Sequence, residues 1–247
     1  TIEAYAESKK LLFKNVLSNT KQNKFWIFPS DDSYGRKWFE EMPFDKKINY
    51  SRQASAILKA TQVIEYLDHT EFVFSYLWKL YRSSTKLLGA YNVNNVLAAI
   101  AVGIELWLDI ATILKSTESF EWVDGRLQKQ EIGGVTYFVD FAHTPDGLEK
   151  TLSFLAGQKG DKKLITVFGC PGNRDKEKRP IMGEIAWKYS DVAICTDDDP
   201  DTENRLKILD DLSKPIQERL LAEWKNSYIL PERQYAIQFA MDIAKPW

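Results

Sequence analysis

The sequence predicts an α/β fold in two parts, the second built on a mostly parallel sheet. Three observations predict it. From Val135 onward short apolar runs alternate with segments of helical period, the pattern of strands joined by crossover helices. Earlier, the strand-like run Lys24 to Phe28 passes through the polar turn Pro29 to Gly35 into a helical stretch bearing Trp38 and Phe39, which is one βα step. The stretch around Glu121 to Gln128 is the best place to divide the chain, and 247 residues allow one large domain or two modest ones with ample core.

The elements follow in order. Ile2, Ala6, Leu12, Phe13, Val16 and Leu17 fall at near-helical spacing and predict a first helix over 2–17. Residues 48–90 carry a weaker pattern: Glu71 to Leu80 reads as a strand and Lys86 to Gly89 as a turn. An Ala-, Leu- and Ile-rich helix is predicted from Val93 to Leu106, and another from Ile110. Beyond the division, strands are predicted at Val135–Asp140, Lys163–Gly169, Asp191–Thr196 and Tyr228–Leu230. Helices are predicted at Asp146–Leu155, Pro180–Tyr189, Arg205–Leu212 and Gln234–Ala244, the second with its proline near the start.

Composition excludes several classes. Thirty-three basic against 35 acidic residues leave a net charge of −2 and no basic field for nucleic acid. No apolar run approaches the roughly 18 residues of a membrane span. Two cysteines, Cys170 and Cys195, cannot form a disulfide framework, so a reducing, cytoplasmic setting is expected.

Ligands of open α/β sheets bind beyond the carboxyl ends of the strands, and three loops there are unusually polar. They are Asp140 to Asp146, Gly169 to Pro180 and Thr196 to Glu203. The second carries two glycines and then Arg174, Lys176, Lys178 and Arg179. Backbone donors at a helix start beside cations suit a carboxylate or phosphate; a solvated charge run is the alternative. Gly-x-Gly-x-x-Gly and the Gly-Lys of a P-loop are both absent. His143 is one of two histidines, and a lone histidine is more often a hydrogen-bonded structural residue than a catalyst. The acidic loop could bind a divalent cation, cap the next helix or receive an ammonium group.

Taken in order, the runs VDFAHTPDGLEKTL, VFGCPGNRDKEKRPIMGEIA and ICTDDDPDTEN resemble the C-terminal domain of the Mur ligases. YAESKKLLF, DDSYG and LLGAYNVNNVLAAIAVGIEL resemble the later part of that family's central ATPase domain. Within the family the likeness points to members that add the third peptide residue to UDP-N-acetylmuramoyl-dipeptide. It implies residues 1–125 as the C-terminal part of the ATP-binding central domain. Residues 126–247 would then be a truncated, Rossmann-like, amino-acid-binding C-terminal domain. The chain is expected to be a fragment, monomeric and inactive alone, because the family's P-loop lies upstream.

The resemblance implies a mechanism with ATP and Mg²⁺: a carboxylate is phosphorylated, an amine attacks the acyl phosphate, and an amide, ADP and phosphate result. It implies that Lys9, four residues after Tyr5, is a carbamylated lysine serving catalysis and metal binding. Asn92 and Asn95 would line the nucleotide pocket from one helix face. Arg126 would reach the nucleotide and Asp140 the ribose hydroxyls, with catalytic His143 in the same loop. Arg174 would hold the α-carboxylate of the incoming amino acid.

Departures also carry information. Members that add diaminopimelate show Asp-Asn-Pro-Arg, whereas this chain has Asp198, Asp199, Pro200 and Asp201. Acids at Asp198, Asp199 and Asp201 would repel a distal carboxylate and attract a lone ammonium, so lysine or ornithine is expected over diaminopimelate. Pro171 and Asn173 replace a usual glycine and aspartate. A related superfamily member, such as folylpolyglutamate synthetase or a lipid II amidotransferase subunit, and a non-catalytic nucleotide-binding module remain the alternatives.

The chain has 12 Gly and 8 Trp. About 7% glycine is ordinary, which would be roughly 17 here, so glycine is short while tryptophan is in excess. An aromatic-rich core is one explanation. The other is that Trp107, Trp122, Trp224 and Trp247, with Trp78 a further candidate, stand where the family carries glycine. UGA codons decoded as glycine would produce that pattern, and such side chains would then be exposed or at positive φ.

Overall fold

The computed structural model describes residues 1–220 and 226–245, and they form two compact units, Thr1–Trp122 and Val123–Trp247. Trp224 and Trp247 lie outside the described residues.

The first unit begins with α1 (Ile2–Ser18), β1 (Phe25–Pro29) and α2 (Ser33–Glu41). Four strands follow, β2 (Lys46–Ser51), β3 (Leu58–Glu65), β4 (Thr70–Tyr76) and β5 (Lys79–Thr85), then α3 (Ala90–Glu105) and α4 (Ile110–Ser119). They make one five-stranded sheet in the order β1-β2-β3-β4-β5. The helix between β1 and β2 forces a crossover, so that pair is parallel; the short turns around β4 give antiparallel pairs.

The expected strand over Glu71–Leu80 is two strands. Leu77 and Trp78 break it as a two-residue turn with φ of 47° and 66°, and Tyr76 pairs with Lys79. The apolar run concealed that turn because neither residue is a turn former. One face of the sheet buries Leu58, Ala60, Phe72 and Phe74 against Val93, Val96, Leu97 and Ile100 of α3. Each such large side chain contributes about 1.5–3 kcal/mol on burial.

The second unit opens with a hairpin of β6 (Gln128–Ile132) and β7 (Val135–Val139) across Gly133 and Gly134. Next come α5 (Pro145–Gln158), β8 (Ile165–Phe168), α6 (Lys178–Tyr189), β9 (Val192–Cys195), α7 (Arg205–Leu220), β10 (Asn226–Ile229) and α8 (Arg233–Ile243). Strands β8, β9 and β10 form a parallel sheet with β9 central, all four of its residues buried. The run Val135–Asp140 was expected to belong to that parallel sheet. It pairs instead with β6, antiparallel and in a separate two-stranded sheet, because the polar sequence Gln128–Ile132 supplies a partner one tight turn away. The main core packs α5, α6 and α7 on the sheet through Leu152, Phe168, Met182, Ile185, Trp187, Leu209 and Leu212.

The tryptophans divide sharply. Trp26 and Trp38 pack around Phe13, and Trp187 is 2% exposed. Trp78 is fully exposed at φ 66°, and Trp107 is 84% exposed at φ 61°. Trp122 is exposed as well, at negative φ, so it meets the expectation by exposure alone.

Candidate functional site

In the first unit, the expected residues lie on two helices. Lys9 is exposed on α1, with its ammonium 5.2 Å from the ring centre of Tyr5. Asn92 is buried and donates to Leu88 O at 2.7 Å; Asn95 donates to Asn92 Oδ1 at 2.8 Å. The pair is thus a rigid polar step on α3, one amide locked and the next hung from it.

Sequence reasoning missed Asp31, just past the carboxyl end of β1. Its carboxylate accepts from the Ser51 hydroxyl, from the backbone N–H groups of Arg52, Gln53 and Ala54, and from Asn94 Nδ2. Burial opposes its charge, but the Arg52 N–H, the Ser51 hydroxyl and the two further N–H groups outweigh it and hold Asp31 well below the usual carboxylate range. Asn94 stands between the two expected asparagines, and its Oδ1 is buried without a partner. A buried, unpaired acceptor at this place fits a ligand donor such as a hydroxyl or amine.

In the second unit, Asp140 opens the loop after β7. It accepts from Leu127 N, Ala142 N and Thr151 Oγ1 at 2.9, 2.9 and 3.1 Å. A carboxylate offers about four acceptor sites, so roughly one remains for a ligand hydroxyl. Arg126 is exposed, its guanidinium 5.1 Å above the Phe141 ring. His143 is exposed, and its backbone carbonyl takes a 2.8 Å hydrogen bond from the buried Lys178. Asp140, Arg126 and His143 therefore share one small loop cluster.

The loop after β8 and the loop after β9 are docked together. Gly172 N donates to Asp199 O at 2.7 Å, and a Cβ on Gly172 would lie 2.0 Å from Pro200 O, so only glycine allows this approach. Asn173, at φ 52°, gives its side-chain amide to Asp201 Oδ2 and Thr202 Oγ1 at 2.9 and 2.7 Å. Beneath them lies a pairing that sequence reasoning did not foresee between residues it had placed on separate polar loops. Arg179 is wholly buried and grips Glu203 with two hydrogen bonds of 2.9 and 2.7 Å, while also reaching Asp211 at 3.0 Å. Lys176 reaches Glu203 at 3.0 Å. Hydrogen bonds from Arg179 and then Lys176 hold the Glu203 carboxyl well below its usual range. A basic run on one loop facing an acidic run on the next was the available signal.

The cations of this run are otherwise committed, but Arg174 is exposed and has no ion-pair partner among the described residues. Asp199 Oδ1 accepts from Asp201 N, so Asp199 caps its own turn. Asp198 has only a 3.8 Å contact with Arg233 and remains exposed. No group of three or more His, Cys, Asp or Glu among the described residues could hold a metal ion, and unmodified Lys9 is a donor. The Mg²⁺ expectation therefore rests on the resemblance alone. No helix among the described residues is long and apolar enough to cross a membrane.

The model of the Mur ligase middle domain matches residues 1–103, and that of the Mur ligase glutamate ligase domain matches residues 125–246. The chain belongs to the Mur ligase family. The UDP-N-acetylmuramoyl-L-alanyl-D-glutamate–2,6-diaminopimelate ligase of Clostridium tetani is 35% identical over 99% of this chain and 48% of its own length. The enzyme of the same name from Synechocystis is 34% identical over the whole chain and 48% of its own length. The chain therefore spans about half the length of these Mur ligase relatives. A solved 2,6-diaminopimelate ligase of this kind matches all of the chain and 50% of its own, at 28% identity and a TM-score of 0.61. The MurF ligase of Thermotoga maritima in complex with ADP matches 90% of the chain and 53% of its own, at 17% identity and a TM-score of 0.59, which shows the shared fold.

Proposed function

We propose that this chain provides parts of the ATP-binding and amino-acid-binding domains of a cytoplasmic ligase that extends UDP-N-acetylmuramoyl-dipeptide by a diamino acid. Residues 1–125 belong to the first domain and 126–247 to the second. The observation that carries the reading is the pair of docked loops after β8 and β9, one bearing the exposed, unpaired Arg174 and the other the exposed Asp198 and Asp201. A free guanidinium suits the α-carboxylate of the amino acid through a two-pronged bond. An acid at 201, in place of the arginine of Asp-Asn-Pro-Arg, suits the lone side-chain ammonium of lysine or ornithine better than the second carboxylate of diaminopimelate.

ATP would supply the phosphoryl group that activates the dipeptide carboxylate. The chain's own residues hold and orient. In the first unit the Asn92–Asn95 step would offer amide contacts to a nucleotide; in the second, taken by itself, Asp140 with Arg126 would do so, Asp140 through its remaining acceptor site. Arg174 would fix the amino acid so that its amine meets the activated carbonyl, an effect of position rather than of proton transfer. Lys9, once carbamylated, would add oxygen ligands for a cation, and exposed His143 would border the reacting groups.

The test is aminoacylation by the protein expressed from its complete gene, with lysine, ornithine and diaminopimelate as competing substrates. ATP-dependent addition of lysine or ornithine at a higher kcat/KM than diaminopimelate is expected. Faster use of diaminopimelate would overturn the substrate assignment, and no ATP-dependent addition of any of them would overturn the ligase assignment.

A further inference from the structure

We propose that Glu203 is the positioning residue that sets which amino acid the site accepts, by fixing the distance between Arg174 on one loop and Asp201 on the other. The proposal rests on the substrate reading above, but its evidence is separate. Arg174 and Asp201 are both exposed and belong to loops that follow different strands. Their spacing is therefore decided by whatever joins the loops, not by the sheet alone.

The join converges on Glu203. One carboxylate, its side chain 9% exposed, receives both prongs of Arg179, the ammonium of Lys176 and the backbone N–H of Asn173 at 3.1 Å. Asn173 and Lys176 flank Arg174 in sequence, so the acid grips the loop on both sides of that arginine. Two residues before Glu203 stands Asp201, and Glu203 N donates to Pro200 O at 2.9 Å, which closes the turn that carries Asp201. Asn173 then reaches directly across to Asp201 Oδ2. Arg179 is anchored in α6 and tied to Asp211 of α7, so the whole clamp is referred to two packed helices. A diamino acid held by its α-carboxylate at one end and its side-chain ammonium at the other would be measured against this fixed span. Lysine and ornithine differ by one methylene, which a rigid site can discriminate about 10- to 200-fold.

The experiment uses the protein from its complete gene and compares wild type with Glu203→Gln. The KM for lysine and for ornithine, the KM for ATP and kcat are measured for each. The expected result is a KM for the preferred amino acid raised at least tenfold, a lysine-to-ornithine ratio of kcat/KM moved toward one, and a KM for ATP unchanged within twofold. An unchanged ratio, whether or not kcat falls, would overturn the proposal, because a merely structural role lowers both substrates together. Should Glu203→Gln fail to fold, Asn173→Ala at its exposed position carries the same expected and overturning outcomes. A wild-type preference for diaminopimelate would overturn the substrate assignment alone. The clamp would then be judged by the variant-to-wild-type change in the ratio of diaminopimelate to lysine.

A different observation carries a second inference: we infer that positions 78 and 107 are glycine in the native protein. Trp107 follows the C-cap of α3, where Trp107 N donates to Ile104 O and Leu108 N donates to Gly103 O, at 2.9 and 3.1 Å. That pair of bonds is the Schellman ending, whose central residue is left-handed and is usually glycine. Trp78 is the second residue of a two-residue hairpin with both φ positive, where glycine is again the strong preference. Another two-residue hairpin among the described residues, β6 to β7, meets the same demand with Gly133 and Gly134, at φ of 60° and 80°. Both tryptophans are exposed, so burial does not offset the backbone cost, whereas Trp26, Trp38 and Trp187 all pack. UGA codons read as glycine by the source and as tryptophan in this sequence account for all of it. The codons at 78 and 107 and the masses of the corresponding native peptides test this: UGA and glycine are expected, with UGG at 26, 38 and 187. UGG at 78 or 107, or tryptophan in either native peptide, would overturn it.

Discussion

Arg179 and Glu203 form a two-pronged ion pair, with contacts of 2.9 and 2.7 Å, in which the guanidinium is wholly buried. Removing one side of a buried pair leaves the other charge without compensation, at a cost of about 3–5 kcal/mol. Arg179→Ala is therefore expected to lower the stability of the second unit by about that amount in urea unfolding. Lys176→Ala touches the same carboxylate from a side chain 58% exposed, and is expected to cost less than about 1 kcal/mol. Equal effects of the two substitutions would refute the assignment of the anchor to Arg179.

Asp31 predicts the acid limb of the first unit's stability. Its carboxyl is depressed in the folded state despite burial, through the Arg52 N–H, the Ser51 hydroxyl and the N–H groups of Gln53 and Ala54. A depressed acid contributes fully above its unfolded value of about 3.9, and the contribution is lost as pH falls toward the folded value. Stability of the first unit should thus be flat for this group above about pH 5 and fall steadily below pH 4. Asp31→Asn should cost about 2 kcal/mol at pH 7, in line with the loss of charge-assisted bonds, and should flatten that acid limb. Unfolding followed by circular dichroism between pH 2 and 7 reads both effects.

Much of the fold was legible because burial imposes a period. The helices α1, α3 and α5 and the strands β8 and β9 appear where apolar spacing placed them. Strands β2, β3 and β6 were not legible, since Lys46–Ser51 and Gln128–Ile132 are polar and their pairing is set by neighbours distant in sequence or by a glycine turn. At the site, Asp140, Arg174 and the acidic loop could be named from the resemblance. The roles of Arg179, Glu203 and Asp31 could not, because each acts through contacts with residues 20 or more positions away in sequence, such as the 24-residue span from Arg179 to Glu203. Charges that complement each other across a sheet edge leave no periodic trace in one chain.

Cys170 and Cys195 predict a labelling result. Burial pushes the Cys170 thiol up to about 11 against the partial relief of Lys178 and Arg179, and burial with Cys170 beside it pushes Cys195 up to about 12. The thiolate is the reactive form, and neither side chain is more than 1% exposed. In native protein at pH 8, a thiol reagent is expected to modify neither cysteine on the timescale in which it modifies both in urea. Because both lie in the second unit's core, their slow labelling rate should rise in Arg179→Ala and stay unchanged in Asp31→Asn. Rapid labelling of native wild type would contradict the packing around β9.

Trp107 and Trp78 give the clearest stability prediction, because here a substitution should help. A left-handed backbone costs a side chain with a Cβ about 1–2 kcal/mol, and glycine escapes that cost. Glycine also loses more chain entropy on folding, which offsets about 0.4–1 kcal/mol of the gain. The 5.7 Å approach of Lys46 to the Trp107 ring is an exposed contact and adds about 0.5 kcal/mol at most. Trp107→Gly and Trp78→Gly should each therefore stabilise the first unit by up to about 1 kcal/mol, raising its midpoint by about 2–4 °C. Trp187→Gly, at a side chain 2% exposed in the second unit, should instead destabilise by more than about 3 kcal/mol. The opposite signs distinguish tryptophans that the fold uses from those its backbone merely accommodates, and scanning calorimetry of the three variants reads them directly.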